Sequence, residues 1–162
     1  MCRTPAIFVL GLVVGLAVRP GIAQDRRLPG MQGINHLAFA TAKYDEMLRF
    51  YTQTLGFAEV LTRRDDAGRP TLTYLQASRA TFIELMPSSA TRPPGFTHFG
   101  IHVDDVRAVA ARLEERGIRP GQPRTIGSGS LTVSITDPDG NRFEVSELPA
   151  DSPVRKAMHD WK

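Results

Sequence analysis

Short stretches of alternating apolar and polar residues are separated, along this chain, by longer stretches with apolar residues at helical spacing. Residues 34–40 (INHLAFA) alternate with the two-residue period of a strand. Residues 44–57 carry an apolar stripe at helical spacing, which predicts an amphipathic helix. Residues 58–64 and 71–78 flank a turn-rich linker and predict a hairpin, and residues 81–86 predict a further short strand.

The same order of elements begins again after residues 87–95 (PSSATRPPG), a linker whose prolines are incompatible with a helix or a central strand. Residues 97–103 (THFGIHV) match the first strand, and residues 104–117 predict a second amphipathic helix. Residues 130–137 and 142–148 then predict two strands joined by the turn PDGN.

Two pairs of residues give the offset between the copies. His98 follows His36 by 62 positions, and Glu144 follows Glu84 by 60 positions. This nearly constant offset predicts an α+β fold of two tandem βαβββ modules. The predicted divisions are a polar lead-in at 24–32, a domain at 33–148 with module 1 at 33–88 and module 2 at 96–148, and a C-terminal tail at 149–162.

The stretch THFGIH places His98 and His102 four positions apart. On a helix these histidines would be neighbours that could share an ion. On a strand they would share a face but lie about 13 Å apart, at ~3.3 Å per residue. The match to residues 34–40 favours the strand, and it aligns His98 with His36 and His102 with Ala40. We therefore expect His98, and not His102, to bind an ion together with His36.

Each module carries a histidine on its first strand and a glutamate on its last. Glu84 lies within FIELM among large apolar side chains, where an unpaired carboxylate would be costly, so it needs a partner or a metal. Taken singly, a strand histidine or glutamate has an ordinary structural or solvent-facing interpretation. The recurrence in both modules favours one divalent ion, Zn, Ni, Co, Fe or Mn, held by two imidazoles and two carboxylates. The predicted ligands are His36, Glu84, His98 and Glu144.

Other polar residues near these positions have two interpretations each. His102 is either a hydrogen-bonded pocket residue or a substrate contact. Arg142 alternates onto the face of Glu144, where it either orients an anionic substrate or is solvated. His159, in the polar tail, is expected at the surface.

The N-terminus has the pattern of a secretory signal peptide. Residues 1–23 contain an early arginine, the apolar run 7–18 and small residues before Gln24. Twelve apolar residues are too few to span a bilayer, which needs about 20. The prediction is export to the periplasm or the medium, with an uncleaved anchor or a misjudged start codon as the alternatives.

Cleavage after Ala23 would leave 139 of the 162 residues and lower the formal charge from +3 to +1. A nearly neutral chain without a clustered basic face gives no reason to expect a nucleic-acid partner. Cys2, the only cysteine, would leave with the signal, so the mature chain would hold no disulfide and no thiol nucleophile. After cleavage no membrane partner is expected.

Four stretches together resemble one known family: INHLAFA…FYTQTLGF, FIELM, THFGIHVDDV and DPDGNRFEV. They are similar to the vicinal oxygen chelate superfamily, which includes glyoxalase, methylmalonyl-CoA epimerase, extradiol dioxygenases and bleomycin-resistance proteins. The resemblance covers about residues 33–148. It implies a curved mixed sheet that cups a metal bound by the four predicted ligands, a small-molecule substrate and a possible homodimer.

The resemblance further implies a glyoxalase- or epimerase-like enzyme, a lyase or isomerase that transfers a proton next to a carbonyl through a metal-stabilised enediolate or enolate. By position, Glu144 would be the catalytic ligand that doubles as base. An extradiol-type dioxygenase is an alternative, although such members tend not to keep an acid at the position of Glu84. A ligand-sequestering protein of the bleomycin-resistance type is another, although such members often lose the metal ligands.

Overall fold

A computed structural model of the protein describes residues 27–162. The predicted signal peptide at 1–23 lies outside the described residues, so export remains a prediction. Within residues 27–162, no helix is both long enough and apolar enough to cross a membrane.

Within residues 27–162, eight strands and two helices follow one another in the order expected of two βαβββ modules, and a third helix follows in the tail. The strands are β1 (Met31–Thr41), β2 (Ala58–Arg64), β3 (Pro70–Ser78), β4 (Thr81–Pro87), β5 (Gly95–Val103), β6 (Arg124–Thr125), β7 (Leu131–Thr136) and β8 (Arg142–Glu147). The helices are α1 (Tyr44–Arg49), which continues as a π-helical turn (Phe50–Thr54), α2 (Val106–Glu115) and α3 (Pro153–Asp160). The strand β1 begins at Met31, two residues before the predicted start of module 1 at residue 33.

All eight strands form one mixed sheet in the order β2-β3-β4-β1-β5-β8-β7-β6. Within each module the first strand pairs in parallel with the last, β1 with β4 and β5 with β8. The two modules join through the antiparallel pair β1–β5 at the centre of the sheet. The predicted α+β fold of two tandem modules in a curved mixed sheet is confirmed.

The first helix differs from its prediction in pitch and in burial. The hydroxyl of Thr52 donates to the carbonyl of Leu48 at 2.8 Å and competes for that acceptor with the backbone, which favours a change of pitch. The amide of Leu55 accordingly donates to the carbonyl of Phe50, five residues earlier. No residue of α1 or of the π turn is fully buried, and Leu55 is 48% exposed, so the predicted inward stripe is only partly covered.

The second helix follows its prediction closely. Asp105 is its N-cap, and the carboxylate accepts from the amides of Arg107 and Ala108 at 2.8 and 3.0 Å. The buried side chains of α2 pack on the outer face of module 2, and these are Val106, Val109, Ala110 and Leu113. They meet the strand residues Ile101, Val103, Val133, Ile135 and Val145.

The tail, which the sequence left unassigned, contains α3. Its N-cap is Ser152, whose hydroxyl accepts from the amide of Arg155 at 3.2 Å. Val154 and Leu148 pack against Tyr74 and Phe82, which lie on the inner face of module 1. The tail thus covers part of the inner face of the sheet, beside the predicted metal site.

Candidate metal centre

The register of the central strand pair brings the two predicted histidines to one face. His36 on β1 lies opposite Gly100 on β5, and Ala38 on β1 lies opposite His98 on β5. Exchanging β1 and β5 converts one of these residue pairs into the other, as expected if the two strands are equivalent parts of a duplicated module. Both histidines are buried, with 1% and 4% of their surface exposed.

The parallel strands on either side supply the glutamates. Glu84 on β4 lies beside Ala38, and Glu144 on β8 lies beside Gly100. Both carboxylates are on the inner face and are buried, with 6% and 4% exposed. Four adjacent strands therefore deliver two imidazoles and two carboxylates to one enclosed point.

The atoms around this point have the spacing of a coordination sphere. The Nε2 atom of His36 lies 3.6 Å from Glu84 Oε2 and 3.9 Å from Glu144 Oε2. The Nε2 atom of His98 lies 3.7 Å from each of the same two oxygens. A tetrahedral ion with ~2.1 Å bonds holds neighbouring ligand atoms about 3.4 Å apart. The ligand atoms of His36, Glu84 and His98 all lie within 4.8 Å of one another, so these three residues could hold an ion, and Glu144 lies close to both histidines.

Three of these atoms are buried without a hydrogen-bond partner among residues 27–162: Nε2 of His36, Nε2 of His98 and Oε2 of Glu144. Leaving a buried polar atom unsatisfied costs roughly 1–3 kcal/mol. A cation at the shared centre would contact all three at once. The residues present therefore fit the divalent metal that the sequence predicts.

Each of the two histidine rings has polar contacts at Nδ1, on its far side from the centre. The amide nitrogen of Asn35 donates to a backbone carbonyl at 3.0 Å, which turns its oxygen toward Nδ1 of His36 at 3.4 Å. The hydroxyl of Thr97 contacts a backbone carbonyl of β1 at 3.2 Å and Nδ1 of His98 at 3.0 Å. The contact with Asn35 assigns the proton of His36 to Nδ1 and its lone pair to Nε2. Nδ1 of His98 lies between the Thr97 hydroxyl and Nη1 of Arg142, which is 3.3 Å away and can only donate.

The two glutamates are held in different ways. The Tyr74 hydroxyl donates to Oε2 of Glu84 at 2.8 Å. The Arg142 guanidinium instead donates to Oε1 of Glu144 at 2.5 Å and to the hydroxyl of Ser134 at 3.1 Å. Glu144 thus keeps an oxygen facing the centre that makes no other bond among the described residues, whereas the inward oxygen of Glu84 is already engaged.

Burial controls the electrostatics of the four side chains. Burial, followed by the charges of His98 and Arg142, lowers the pKa of His36 to about 3. Burial also lowers the pKa of His98 and raises the pKa of Glu84 to about 7. The imidazoles are therefore neutral at pH 7, so their short contacts to the carboxylates are not ion pairs. Neutral imidazole is the form that binds metals.

The remaining predicted residues lie outside this group of four. His102 is buried further along β5, where burial and the nearby charge of Arg155 on α3 lower its pKa. Arg142 reaches the site but is bonded to Glu144, and 40% of its side chain is exposed. His159 is on the surface, as expected.

Sequence reasoning missed the residues that support the ligands, Asn35, Tyr74 and Thr97. Asn35 and Thr97 each precede a ligand histidine, which was a usable signal. Tyr74 reaches Glu84 through the pairing of β3 with β4, and that register is not visible in the sequence.

Comparison with known proteins identifies the class. Residues 33–145 match the model of the Glyoxalase/Bleomycin resistance protein/Dioxygenase superfamily, and the chain belongs to this family. It is 28% identical to a 2-epi-5-epi-valiolone epimerase of an Actinomyces species, over 81% of this chain and 87% of that protein. It is 29% identical to a probable chloroplastic lactoylglutathione lyase of Arabidopsis thaliana, over 76% of this chain but 38% of that protein.

Among solved structures, the fold is similar to methylmalonyl-CoA epimerase from Mycobacterium tuberculosis. The TM-score is 0.63 with 26% identity, and the match covers 75% of this chain and 91% of the epimerase. The named relatives are enzymes, which supports the prediction that this chain is an enzyme too.

The substitution Gly100→Ala tests the geometry of the histidine pair. A methyl group on Gly100 would lie 2.1–2.6 Å from three atoms of the His36 imidazole ring, so the ring would have to leave its position. We expect zinc affinity to fall by at least about tenfold, measured by competition with a chromogenic chelator, together with a stability loss of about 1–3 kcal/mol. The matched control is Ala38→Gly, at the equivalent position of module 1, which should keep its zinc affinity. Equal affinity in Gly100→Ala and the unaltered protein would contradict the described site.

The pair His98→Ala and His102→Ala tests which histidine is the ligand. Loss of a ligand should lower zinc affinity by more than the roughly 10–100-fold that changes in outer-shell partners cost. We expect this for His98→Ala, whereas His102→Ala should bind zinc almost as the unaltered protein does. Similar losses in both variants would show that the ligand assignment is wrong.

Proposed function

We propose that the protein is a divalent-metal-dependent lyase or isomerase of the glyoxalase-like type, which transfers a proton at a carbon next to a carbonyl. The observation that carries this proposal is the buried group His36, Glu84 and His98, whose ligand atoms lie within 4.8 Å of one another. Beside it, Nε2 of His36, Nε2 of His98 and Oε2 of Glu144 have no hydrogen-bond partner among residues 27–162. A divalent ion held there would supply a Lewis acid for the negative charge that develops on a substrate oxygen.

Glu144 is the residue best suited to move the proton. Its Oε2 faces the centre without a hydrogen bond among residues 27–162, while Arg142 fixes the other oxygen. A carboxylate anchored through one oxygen can present the second to a substrate in a defined direction. Arg142 accordingly acts as a positioning residue for Glu144, a role that the geometry supports better than direct binding of an anionic substrate.

Glu84 is less suited to that role. Tyr74 already donates to its inward oxygen, so removing a substrate proton with that atom would compete with an existing bond. We assign Glu84 to holding the ion, and Tyr74 to keeping its carboxylate in place. The duplicated site thus has two chemically different halves.

The enclosure of the site supports charge stabilisation. All four side chains are at most 8% exposed, so little bulk water can screen them. Charges interact more strongly in such surroundings than in water. Two carboxylates with a divalent ion sum to zero charge, which lets the site accept a neutral α-hydroxycarbonyl and still attract the enolate oxygen that forms on proton loss.

The names of the relatives agree with this reaction type. Two of them are epimerases and one is a lyase. An epimerase acting beside a carbonyl removes a proton and returns it, and the same first step serves a lyase or isomerase of the proposed type.

Proton exchange in deuterated water tests the proposal. The zinc-loaded protein is incubated with hemithioacetals, α-hydroxycarbonyls and acyl thioesters, and deuterium uptake beside the carbonyl is followed by NMR. We expect uptake with at least one of these classes, dependent on the metal and slowed by about 10²–10⁴ in Glu144→Gln, because the variant lacks the base.

The matched control is Glu147→Gln, which makes the same chemical change on the same strand. Glu147 accepts from the amide of Val106 at the start of α2 and does not belong to the site, so its exchange rate should be unchanged. Oxygen uptake with catechols would favour a dioxygenase instead. Tight binding of a hydrophobic drug without exchange on any substrate would favour a ligand-sequestering protein.

A further inference from the structure

The C-terminal helix α3 packs against the aromatic side chain that supports the metal centre. Toward the centre, the Tyr74 hydroxyl donates to Glu84 at 2.8 Å, and the Tyr74 ring lies 5.6 Å from the imidazole of His36, measured between ring centroids. Away from the centre, Tyr74 belongs to a buried apolar cluster that includes Phe82 and, from α3, Val154. Tyr74 therefore links α3 to two of the predicted ligands.

Few interactions hold α3 on the sheet. Among residues 27–162, one side-chain hydrogen bond joins α3 to a strand: the amide of Gln76 donates to the carbonyl of Ala157 at 3.0 Å. The only ion pair of α3 in the described part of the chain joins His159 to its neighbour Asp160, so no salt bridge ties the helix to the sheet. Of the residues of α3, all of which the structure describes, only Val154 is buried. A segment with so few buried contacts opens locally at a lower free energy than the whole chain unfolds.

The guanidinium of Arg142 covers another side of the centre and is held more tightly. It donates to Glu144 at 2.5 Å and to the hydroxyl of Ser134 at 3.1 Å, and it contacts Nδ1 of His98 at 3.3 Å. Hydrogen bonds from a charged donor, above all to a carboxylate, are stronger than the neutral amide bond that holds α3. Of these two covers, α3 is therefore the one that opens at the lower cost.

The metal centre needs such an opening. The four predicted ligand side chains are at most 8% exposed, so an ion or a substrate requires a movement of the surrounding chain to reach them. Departure of α3 would uncover Tyr74 and Phe82 directly beside the centre. The helix lies outside residues 33–145, which match the family model, so the shared domain does not include this cover.

We propose that α3 is the lid of the metal centre: residues 149–162 swing away from the inner face of module 1 to admit an ion or a substrate, and their return closes the centre. Opening exposes apolar surface on both the helix and the sheet, so the closed state is the more populated one. This inference rests on the metal centre of the proposed function, and it does not depend on which reaction the centre performs.

A matched pair of valine variants tests the lid. Val154 in α3 and Val109 in α2 are both fully buried, the first on the inner face of module 1 and the second on the outer face of module 2. Replacement by alanine removes the same methyl groups from each. Val154→Ala should release zinc to an excess of chromogenic chelator about tenfold faster than the unaltered protein, because the lost contacts favour the open state. Val109→Ala should release it at the rate of the unaltered protein.

A disulfide that holds the tail closed tests the lid in the opposite direction. A Cβ atom on Gly129, in the β6–β7 hairpin, would lie 3.6 Å from the Cβ atom of Ser152. Native disulfides have a Cβ separation of about 3.5–4.5 Å. The double variant Gly129→Cys/Ser152→Cys is made with Cys2→Ser, so that no third thiol competes. Once the disulfide has formed, zinc release should slow by at least about tenfold, because the minor open state is lost. The single variants Gly129→Cys and Ser152→Cys carry the same local changes without the crosslink and should not slow it.

Modification of His36 by diethyl pyrocarbonate, which reacts with neutral imidazole, measures access in protein stripped of zinc. Mass spectrometry should show faster modification in Val154→Ala and slower modification in the crosslinked protein. Equal rates of zinc release and of modification in Val154→Ala, Val109→Ala and the unaltered protein would overturn the proposal, as would unchanged rates after crosslinking. Elemental analysis separates this outcome from failure of the proposed function. If the protein holds no zinc, the proposed function fails, and the modification of His36 alone decides on the lid.

Discussion

The buried convergence of two imidazole nitrogens and two carboxylate groups is the constraint on which the rest of the structure depends. No hydrogen bond among residues 27–162 satisfies the inward atoms of His36, His98 and Glu144. Burying these unsatisfied atoms destabilises the fold. They lie at the centre of the sheet, on four adjacent strands. The parallel and antiparallel pairings around β1 and β5 place these atoms together. The site is therefore a direct consequence of the duplicated topology.

Around the site, the strand pairings of the two modules are equivalent, but the chemistry of the two modules differs. Gly100 makes room for the ring of His36, whereas the equivalent Ala38 lies opposite His98. Tyr74 holds one carboxylate and Arg142 the other. The helix α3 packs over the inner face of module 1. As a result, the inward oxygen of Glu84 is engaged by Tyr74, whereas the inward oxygen of Glu144 has no hydrogen-bond partner among residues 27–162.

The sequence was sufficient to predict the duplication, the strand assignment of THFGIH and the four residues that the structure brings together. These features could be predicted because the hydrophobic periodicity of each segment and the nearly constant offset between the two modules can be read directly from the sequence. The supporting contacts could not be predicted in the same way. Tyr74 reaches Glu84 through strand register, and α3 is too short to have a clear periodic pattern. Contacts between side chains on different strands depend on how the strands pair in the folded sheet. A short stretch of sequence therefore does not reveal them.

Anomalous diffraction from crystals of the zinc-loaded protein, measured at the zinc edge, tests the central claim most directly. The account predicts a peak bonded to Nε2 of His36, Nε2 of His98 and a carboxylate oxygen of each of Glu84 and Glu144, at about 2.0–2.2 Å. A peak at His102 or His159 in place of this position, or no peak among the four side chains, would contradict it.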